Sequence, residues 1–567
     1  MSTTIDEIAL SEAERIKLES LGLRGPLAEE LSDESTHLSE RARQLLKFHG
    51  SYQQEDRDRR RERKRAGLEP AYQFMIRSKL PGGTMTGEQY LLHDHLADKY
   101  GNGTIRITTR QGFQLYGVLK STLRSTIHEL NEALVTTFGA CGDVVRNTIT
   151  CPAPIAGTLR LEMAALARTI SDEMLPKSRS YHDIWVEGEK VTRTEEPEPD
   201  PLYRDRYLPR KFKIAFAFPD DNCTDVLAND VALIVIQEEG RLVGFNIAVG
   251  GGMGSTHGKA DTYPRIATPL GFTEPDDLMD TLKAIIAVQR DNGNREDRRR
   301  ARLKYLLDER GDDWFREQVE VELGRPLAPY RREVVLTAFE DHLGWHDQRD
   351  GRWFRGIWVE NGRIRDQDDH RLRTALRTIV QRFAPDVHLT THQNLLLTNI
   401  DPADRAAIDT ILAEHGVIAP EDVLPVRRFS MACPAIPTCP LAVAESERVF
   451  PGVVDGMEQA LAELGIPDQA ITVRMTGCPN GCARPYTAEL AFVGRSLGKY
   501  VVYVGGNAEG TRMGSVYADL VPLDRLIDTV RPLLERFRDE RDEDERFGDF
   551  WTRIGLEPIP VPSRAIA

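Results

Sequence analysis

Residues 106–115 read RITTRQGFQL, and residues 388–397 read HLTTHQNLLL. The second stretch begins 282 residues after the first (388 − 106), and both carry Thr-Thr-x-Gln. Each leads into a region that contains Cys-Pro and ends on Val-Gly-Gly, in FNIAVGGGMG (245–254) and YVVYVGGNAEGTRMG (500–514). The period far exceeds that of a solenoid. It reads as duplication of a domain-sized α/β unit, with a site between the halves. The match over one short stretch is weak by itself; the second echo, in the same order, carries the reading.

The chain has 567 residues, enough for about three to four domains at roughly 150 residues each. Hydrophobic residues make up 40% and charged residues 29%, ordinary for a globular protein. The balance of 74 Lys+Arg against 89 Asp+Glu gives −15. That argues against a nucleic-acid or membrane-surface binder. No apolar run approaches the ~18 residues of a membrane span. The opening MSTTIDEIALSEAER has no apolar signal segment, so a cytoplasmic location is expected. The run RDRRRERKR (57–65), with Asp58 and Glu62 interleaved, reads as a solvated helix face rather than a nucleic-acid patch. Helical spacing is visible at 454–464 and 521–540, and strand character at 211–218 and 471–475.

Of seven cysteines, Cys141, Cys151 and Cys223 are scattered, whereas Cys433, Cys439, Cys478 and Cys482 form two pairs, in MACPAIPTCP and TGCPNGCARP. Four thiolates in two short loops suit a soft metal centre. Structural zinc usually takes pairs two to four residues apart, so C-x5-C is unusual for it, and an iron–sulfur cluster accepts wider spacings. Prolines after Cys433, Cys439 and Cys478 stiffen the loops, and Gly477 and Gly481 permit tight turns.

Basic residues recur at strand spacing. Alternation in KFKIAFAF (211–218) puts Lys211 and Lys213 on one face, and alternation in IRITTRQ (105–111) does the same for Arg106, Thr108 and Arg110. Arg77, Arg146 and the cluster RRRARLK (298–304) add to these. Each alone reads as a surface charge. Together, in an acidic protein with a duplicated fold, they point to a polyanion site.

With these motifs the chain resembles the sulfite/nitrite reductase haemoprotein family, and within it the sulfite-reducing haemoprotein β components. The resemblance runs from ERIKLESLGLRGPLAEEL (14–31) to FGDFWTRIG (547–555) and is strongest in MACPAIPTCPLAVAESERVFP and RMTGCPNGCARP. It implies an α/β (α+β) fold with pseudo-twofold symmetry, three domains arranged around a sirohaem–[4Fe–4S] centre. Residues 1–65 would form an arm that docks the partner, 66–140 and 335–405 paired ferredoxin-like half-domains, 141–334 a sirohaem and substrate domain, and 406–567 an iron–sulfur and sirohaem domain.

By the same resemblance Cys433, Cys439, Cys478 and Cys482 match the cluster ligands, and Cys482 also the axial ligand of the sirohaem iron. Arg77, Arg146, Lys211 and Lys213 match the cations that hold the substrate oxyanion. Arg106, Arg110 and Gln114 match residues that bind sirohaem carboxylates; Arg302 and Lys304 join them on a looser alignment. Thr109 departs from the pattern where relatives often carry Asn, and Ala483-Arg484-Pro485 where Gly-Arg is common. The implied activity is six-electron reduction of sulfite to sulfide in sulfate assimilation and cysteine biosynthesis. GGGMG (250–254) lacks a dinucleotide fingerprint, so electrons are expected from a partner: the flavoprotein reductase α component of NADPH-type systems, with ferredoxin as the alternative.

Two other functions compete. Nitrite reduction on the same scaffold is disfavoured by Lys213, where nitrite reductases of the family usually have Asn. A zinc-stabilised, non-catalytic binding protein leaves the Arg/Lys set and the duplication unexplained. Cys141 lies five residues before Arg146 (146 − 141). Some ferredoxin-dependent members carry a Tyr–Cys link near the corresponding arginines, which makes Tyr52 a candidate partner for it.

Overall fold

The two Thr-Thr-x-Gln stretches form the same turn twice. Thr108 N donates to Gly112 O at 2.9 Å, and Thr390 N donates to Asn394 O at 2.9 Å. The Thr108 hydroxyl accepts from Gly112 N at 3.2 Å, and that of Thr390 from Asn394 N at 3.0 Å. Gln111 and Gln393 both take left-handed backbone, at φ 51° and 67°. These relations come from a computed structural model that describes residues 10–177, 185–186, 189–190 and 199–559. Parts of the expected arm, the 141–334 segment and the C-terminal segment lie outside the described residues.

Each turn joins two strands of a five-stranded antiparallel sheet. The first sheet runs Ser51–Glu55, Tyr72–Arg77, Phe113–Val118, Ile105–Ile107, Arg363–Ile364. The second runs Gly344–Asp347, Trp353–Ile357, Leu395–Ile400, Asp386–Leu389, Thr84–Met85. The fifth strand of each sheet comes from the other half. Thr84 pairs with His388, and Arg363 with Arg106. Glycines make the exchange possible. A Cβ on Gly83 (φ 74°) would come within 2.5 Å of Leu389 O, and one on Gly362 (φ 72°) within 2.6 Å of Ile107 O. The halves are thus interlocked by two equivalent crossings.

Helices Gly87–Lys99 and Leu372–Phe383 pack on these sheets. The second buries Leu372, Ala375, Leu376, Ile379 and Val380, the i, i+3, i+4, i+7 stripe of an amphipathic helix. Arg373 bonds Asp94 and Asp98 on the first helix, each at 2.6 Å, which clamps the halves together.

A second pair of sheets repeats in the same way. In one, Ile214–Ala217 runs parallel to Val231–Glu238, followed antiparallel by Arg241–Val249 and Thr268–Thr273. In the other, Ser430–Ala432, Val473–Thr476 and Leu490–Ser496 are parallel, followed antiparallel by Lys499–Val504 and Ser515–Pro522. The Val-Gly-Gly motifs end Arg241–Val249 and Lys499–Val504. The helices expected at 454–464 and 521–540 are Phe450–Glu463 and Leu526–Glu540. The second starts late because Val521 and Pro522 still belong to a strand.

One expectation changes, and another holds except at Arg57. Ser51–Glu55, inside the stretch assigned to an arm of residues 1–65, is the edge strand of the first sheet, with Tyr52 opposite Met75. Leu23, Leu38, Ala42, Leu45 and Leu46 join the main core as well, so this segment from residue 10 onward is body. The basic run forms a helix, Arg60–Arg65, with no buried residue, as a solvated face requires. Arg57 instead reaches inward to Cys439 O at 3.0 Å and Ala442 O at 2.8 Å.

Candidate functional site

Cys433 and Cys478 follow the adjacent parallel strands Ser430–Ala432 and Val473–Thr476. Both loops therefore leave the carboxyl edge of the sheet, where α/β sheets gather ligands. Gly477 N–H points at Cys433 Sγ from 3.3 Å, and Asn480 Nδ2 at Cys478 Sγ from 3.5 Å. Burial first, and then the charges of neighbouring cysteines, push Cys433, Cys439 and Cys478 up to about 12. Cys482 is the exposed member and faces the pocket. Thiolates so arranged repel one another unless a cationic centre sits among them. No three of these four sulfurs lie within 4.8 Å of one another among the described residues. A single zinc needs edges of about 3.7 Å between sulfurs. The wider spread fits a multi-iron cluster.

Above Cys482 lies a cationic pocket. Lys211, Lys213, Arg110, Arg302 and Arg484 line it, with Thr109 and Asn229. Desolvation, and then neighbouring cations, hold Lys211 and Lys213 well below the ordinary lysine value. Burial and Arg146 bring Arg110 down to about 9. Arg210, just before Lys211, falls to about 10 through burial and Arg298. Positive charge gathered this densely calls for an anion with several carboxylates or oxygens.

The expected residues divide by what they touch. Lys211 and Lys213 face the pocket, with no hydrogen bond or ion pair from either ammonium among the described residues. Arg110 also lines it, with Nη1 on Asn229 Oδ1 at 2.7 Å and Nε without a partner. Arg302 lies in its wall and pairs with Asp230 at 2.8 Å. Lys304 donates to Gly252 O at 3.0 Å and Gly254 O at 2.6 Å, holding the glycine loop behind the wall. Arg146 donates to Gly142 O at 3.2 Å and sits beside the pocket lysines.

Arg106 and Arg110 do not share a face. The strand ends at Ile107: Arg106, still on it, reaches Glu447 at 3.0 Å and Ala432 O at 2.8 Å, beneath the cysteine loop, whereas Arg110 lies in the turn beyond it. Gln114 is buried. With its carboxamide oxygen toward the cation, it accepts from Arg77 Nε at 3.2 Å and donates to Tyr116 at 2.7 Å. It holds Arg77 in place. Arg77 Nη1 donates to Cys141 Sγ at 2.9 Å, its guanidinium lies 6.0 Å from the Tyr52 ring, and Tyr52 neighbours Cys141.

Sequence reading missed Arg210, Asn229 and the buried knot of Asp225 with Arg474 and Arg484. Arg474 Nη1 and Arg484 Nε meet Asp225 Oδ2 at 2.6 and 2.5 Å. Asp225 and Arg484 occupy equivalent places 259 residues apart (484 − 225), each in left-handed backbone (φ 45° and 52°).

Comparison with known proteins agrees with this architecture. The nitrite and sulphite reductase 4Fe-4S domain model matches residues 165–327 and 427–559. The nitrite/sulfite reductase ferredoxin-like half-domain model matches 67–133 and 346–415. The chain is 45% identical over 548 residues to the sulfite reductase [NADPH] hemoprotein beta-component of Staphylococcus saprophyticus, covering 96% of each. It is 45% identical to the sulfite reductase [ferredoxin] of Synechococcus elongatus, covering 99% of this chain and 92% of that one. The solved structure of Mycobacterium tuberculosis NirA shares the fold, with TM-score 0.76 at 23% identity and 96% of each chain covered. Among the described residues no helix is long and apolar enough to cross a membrane. A duplicated fold, four converging cysteines and matches that span both halves lead to one assignment: the chain belongs to the nitrite and sulphite reductase family.

Proposed function

We propose that this chain is the haemoprotein subunit of an assimilatory sulfite reductase and reduces sulfite to sulfide with six electrons. Cys433, Cys439, Cys478 and Cys482 would hold a [4Fe–4S] cluster, with Cys482 shared with a sirohaem iron. When bound, the coupled centre supplies stepwise electron transfer to the substrate. Arg110 and the other pocket cations would meet the sirohaem carboxylates, since bidentate guanidinium contacts suit them. Lys211 and Lys213 would hold the sulfite oxygens, stabilise the negative charge and pass protons as oxygen leaves as water.

The observation that carries this reading is the pair Lys211 and Lys213, without partners among the described residues, facing the pocket that Cys482 lines. Two ammonium groups suit a dianion better than monoanionic nitrite. The names of the relatives support a flavoprotein α component as electron donor; the ferredoxin-type relative at similar identity makes ferredoxin the second reading. A cytoplasmic location goes with either donor.

The test is purification followed by iron analysis, visible spectroscopy and turnover. About five irons per chain, sirohaem absorption and faster turnover of sulfite than nitrite with a reduced viologen are expected. A colourless, iron-free protein would overturn the reading. Adding the flavoprotein with NADPH, or reduced ferredoxin, identifies the donor.

A further inference from the structure

The duplication extends to the scattered cysteines. Ile149 bridges Ala215 in parallel as Met431 pairs Arg474 in parallel. Cys151 therefore stands where Cys433 stands in the second unit, since 433 − 151 and 431 − 149 are both 282. Ile214 pairs Val231 as Val473 pairs Leu490, an offset of 259 for both members. Cys223 stands where Cys482 stands (482 − 223 = 259). The same offsets put Gly157 and Pro219 in place of Cys439 and Cys478. The first unit thus retains two of the four thiols.

Two other donors join them. Cys151, Cys223, Asp221 and His342 are all buried, and one donor atom from each lies within 4.8 Å of all the others. Cys151 Sγ is 3.2 Å from His342 Nε2, which is 3.2 Å from Asp221 Oδ2. In a zinc tetrahedron, edges between such donors are about 3.3–3.7 Å. We propose that these four residues form a structural zinc site, its ligands two thiolates, one imidazole and one carboxylate, at the place in the first unit that the cysteine cluster takes in the second.

The surroundings suit a metal. Two thiolates and a carboxylate around a dication leave one negative charge. Arg160 lies beside it, with Nη2 3.5 Å from Asp221 Oδ2 and the positive charge near Cys151. Asp221 Oδ1 accepts from Cys223 N at 3.1 Å and Glu340 N at 3.2 Å, which orients the carboxylate as an outer shell does. His342 has φ 57°, and Gly356 makes room for it: a Cβ there would come within 1.9 Å of His342 O. No member of the set is more than 5% exposed, so the coordination sphere is closed and a thiol–imidazole catalytic role has no access to substrate. The metal would join three distant segments. It pins the connection that leads into strand Gly344–Asp347, where Thr337 N already bonds Pro219 O at 2.8 Å and Asn222 N bonds Ala338 O at 2.9 Å.

The test is metal analysis of the holoenzyme purified without chelator. About one zinc per chain beside the iron is expected, with X-ray absorption reporting two sulfur and two nitrogen or oxygen neighbours. The Cys151→Ser/Cys223→Ser double variant should lose at least nine-tenths of the zinc while keeping its iron and visible spectrum. If that variant does not fold, the wild-type measurement decides. A wild type that holds no zinc and binds none in equilibrium dialysis overturns the proposal, as does zinc with any other neighbour set. Undiminished zinc in His342→Gln overturns it too.

Discussion

Thr109 Oγ1 donates to the carbonyl oxygen of Cys482 at 3.0 Å. This bond ties the Thr-Thr-x-Gln turn of the first half to the exposed cysteine of the second, at the residue where the chain departs from the family pattern. Removing a bond of this kind costs about 0.5–1.5 kcal/mol, about two- to tenfold. Thr109→Val should therefore lower sulfite turnover by that factor with iron content unchanged, and Thr109→Ser should restore it. Wild-type turnover in Thr109→Val would show that the bond has no part in positioning Cys482.

Lys213→Asn should reduce sulfite turnover more than nitrite turnover. Lys213 has a carboxylate near it in Asp230, but that carboxylate is committed to Arg302. The ammonium is thus left for substrate. Loss of one charge-assisted contact costs about 1.5–3 kcal/mol, about ten- to a hundredfold on sulfite. Steady-state kinetics on both substrates decide it; equal losses would remove Lys213 from selectivity.

Burial gives the protein an acid limit. It lowers His49 and His93 to about 4, and together with Arg484 it lowers His392 to about 3. The unfolded chain, with histidines near 6.5, takes up protons first as pH falls. Stability is therefore full above about 6.5 and is lost progressively as pH falls to about 4, and to about 3 for His392, by about 1.4 kcal/mol per histidine for each pH unit in that window. His93 is hydrogen-bonded at both nitrogens, to Ser78 Oγ and Gln89 O, each at 2.6 Å. His93→Gln should flatten the fall of the thermal midpoint between pH 6.5 and 4.5 (about the window above). An unchanged slope would assign the acid limit to other groups.

Much of this site was legible in the sequence because its chemistry is local. Paired cysteines in Pro/Gly loops and two lysines at strand spacing declare themselves from residue types alone. The exchanged strands Thr84–Met85 and Arg363–Ile364 did not, since two residues carry no periodicity. Alternation misled at Arg106 and Arg110 because the strand ends at Ile107 and Arg110 lies in the turn that starts at Thr108, a backbone choice that side-chain pattern does not encode. Gln114 and Lys304 have the right polarity for a cofactor pocket, and only their partners reveal that they support its walls. The counterpart relation of Cys151 and Cys223 to Cys433 and Cys482 needed the strand register, because the two offsets differ.

Tyr52 and Cys141 are neighbours beside Arg77, on the approach to Cys482. Burial, and then the neighbouring thiol, raises Tyr52 above the ordinary phenol value, so the phenol stays protonated. A thioether between the Tyr52 ring and Cys141 Sγ forms with loss of two hydrogen atoms, and dioxygen reduced to peroxide can accept both. Arg77 fixes both partners, donating to the sulfur at 2.9 Å and lying over the ring. We expect peptide mass spectrometry of the aerobically purified holoenzyme to find a linked Tyr52–Cys141 pair, about two mass units below the sum of the separate peptides, as loss of two hydrogens requires. Cys141→Ser and Tyr52→Phe should each abolish the linked species. The Arg77→Lys variant, which loses the planar guanidinium, should reduce its yield. Recovery of only the free peptides from the wild type would mean that the two side chains are neighbours without a bond between them.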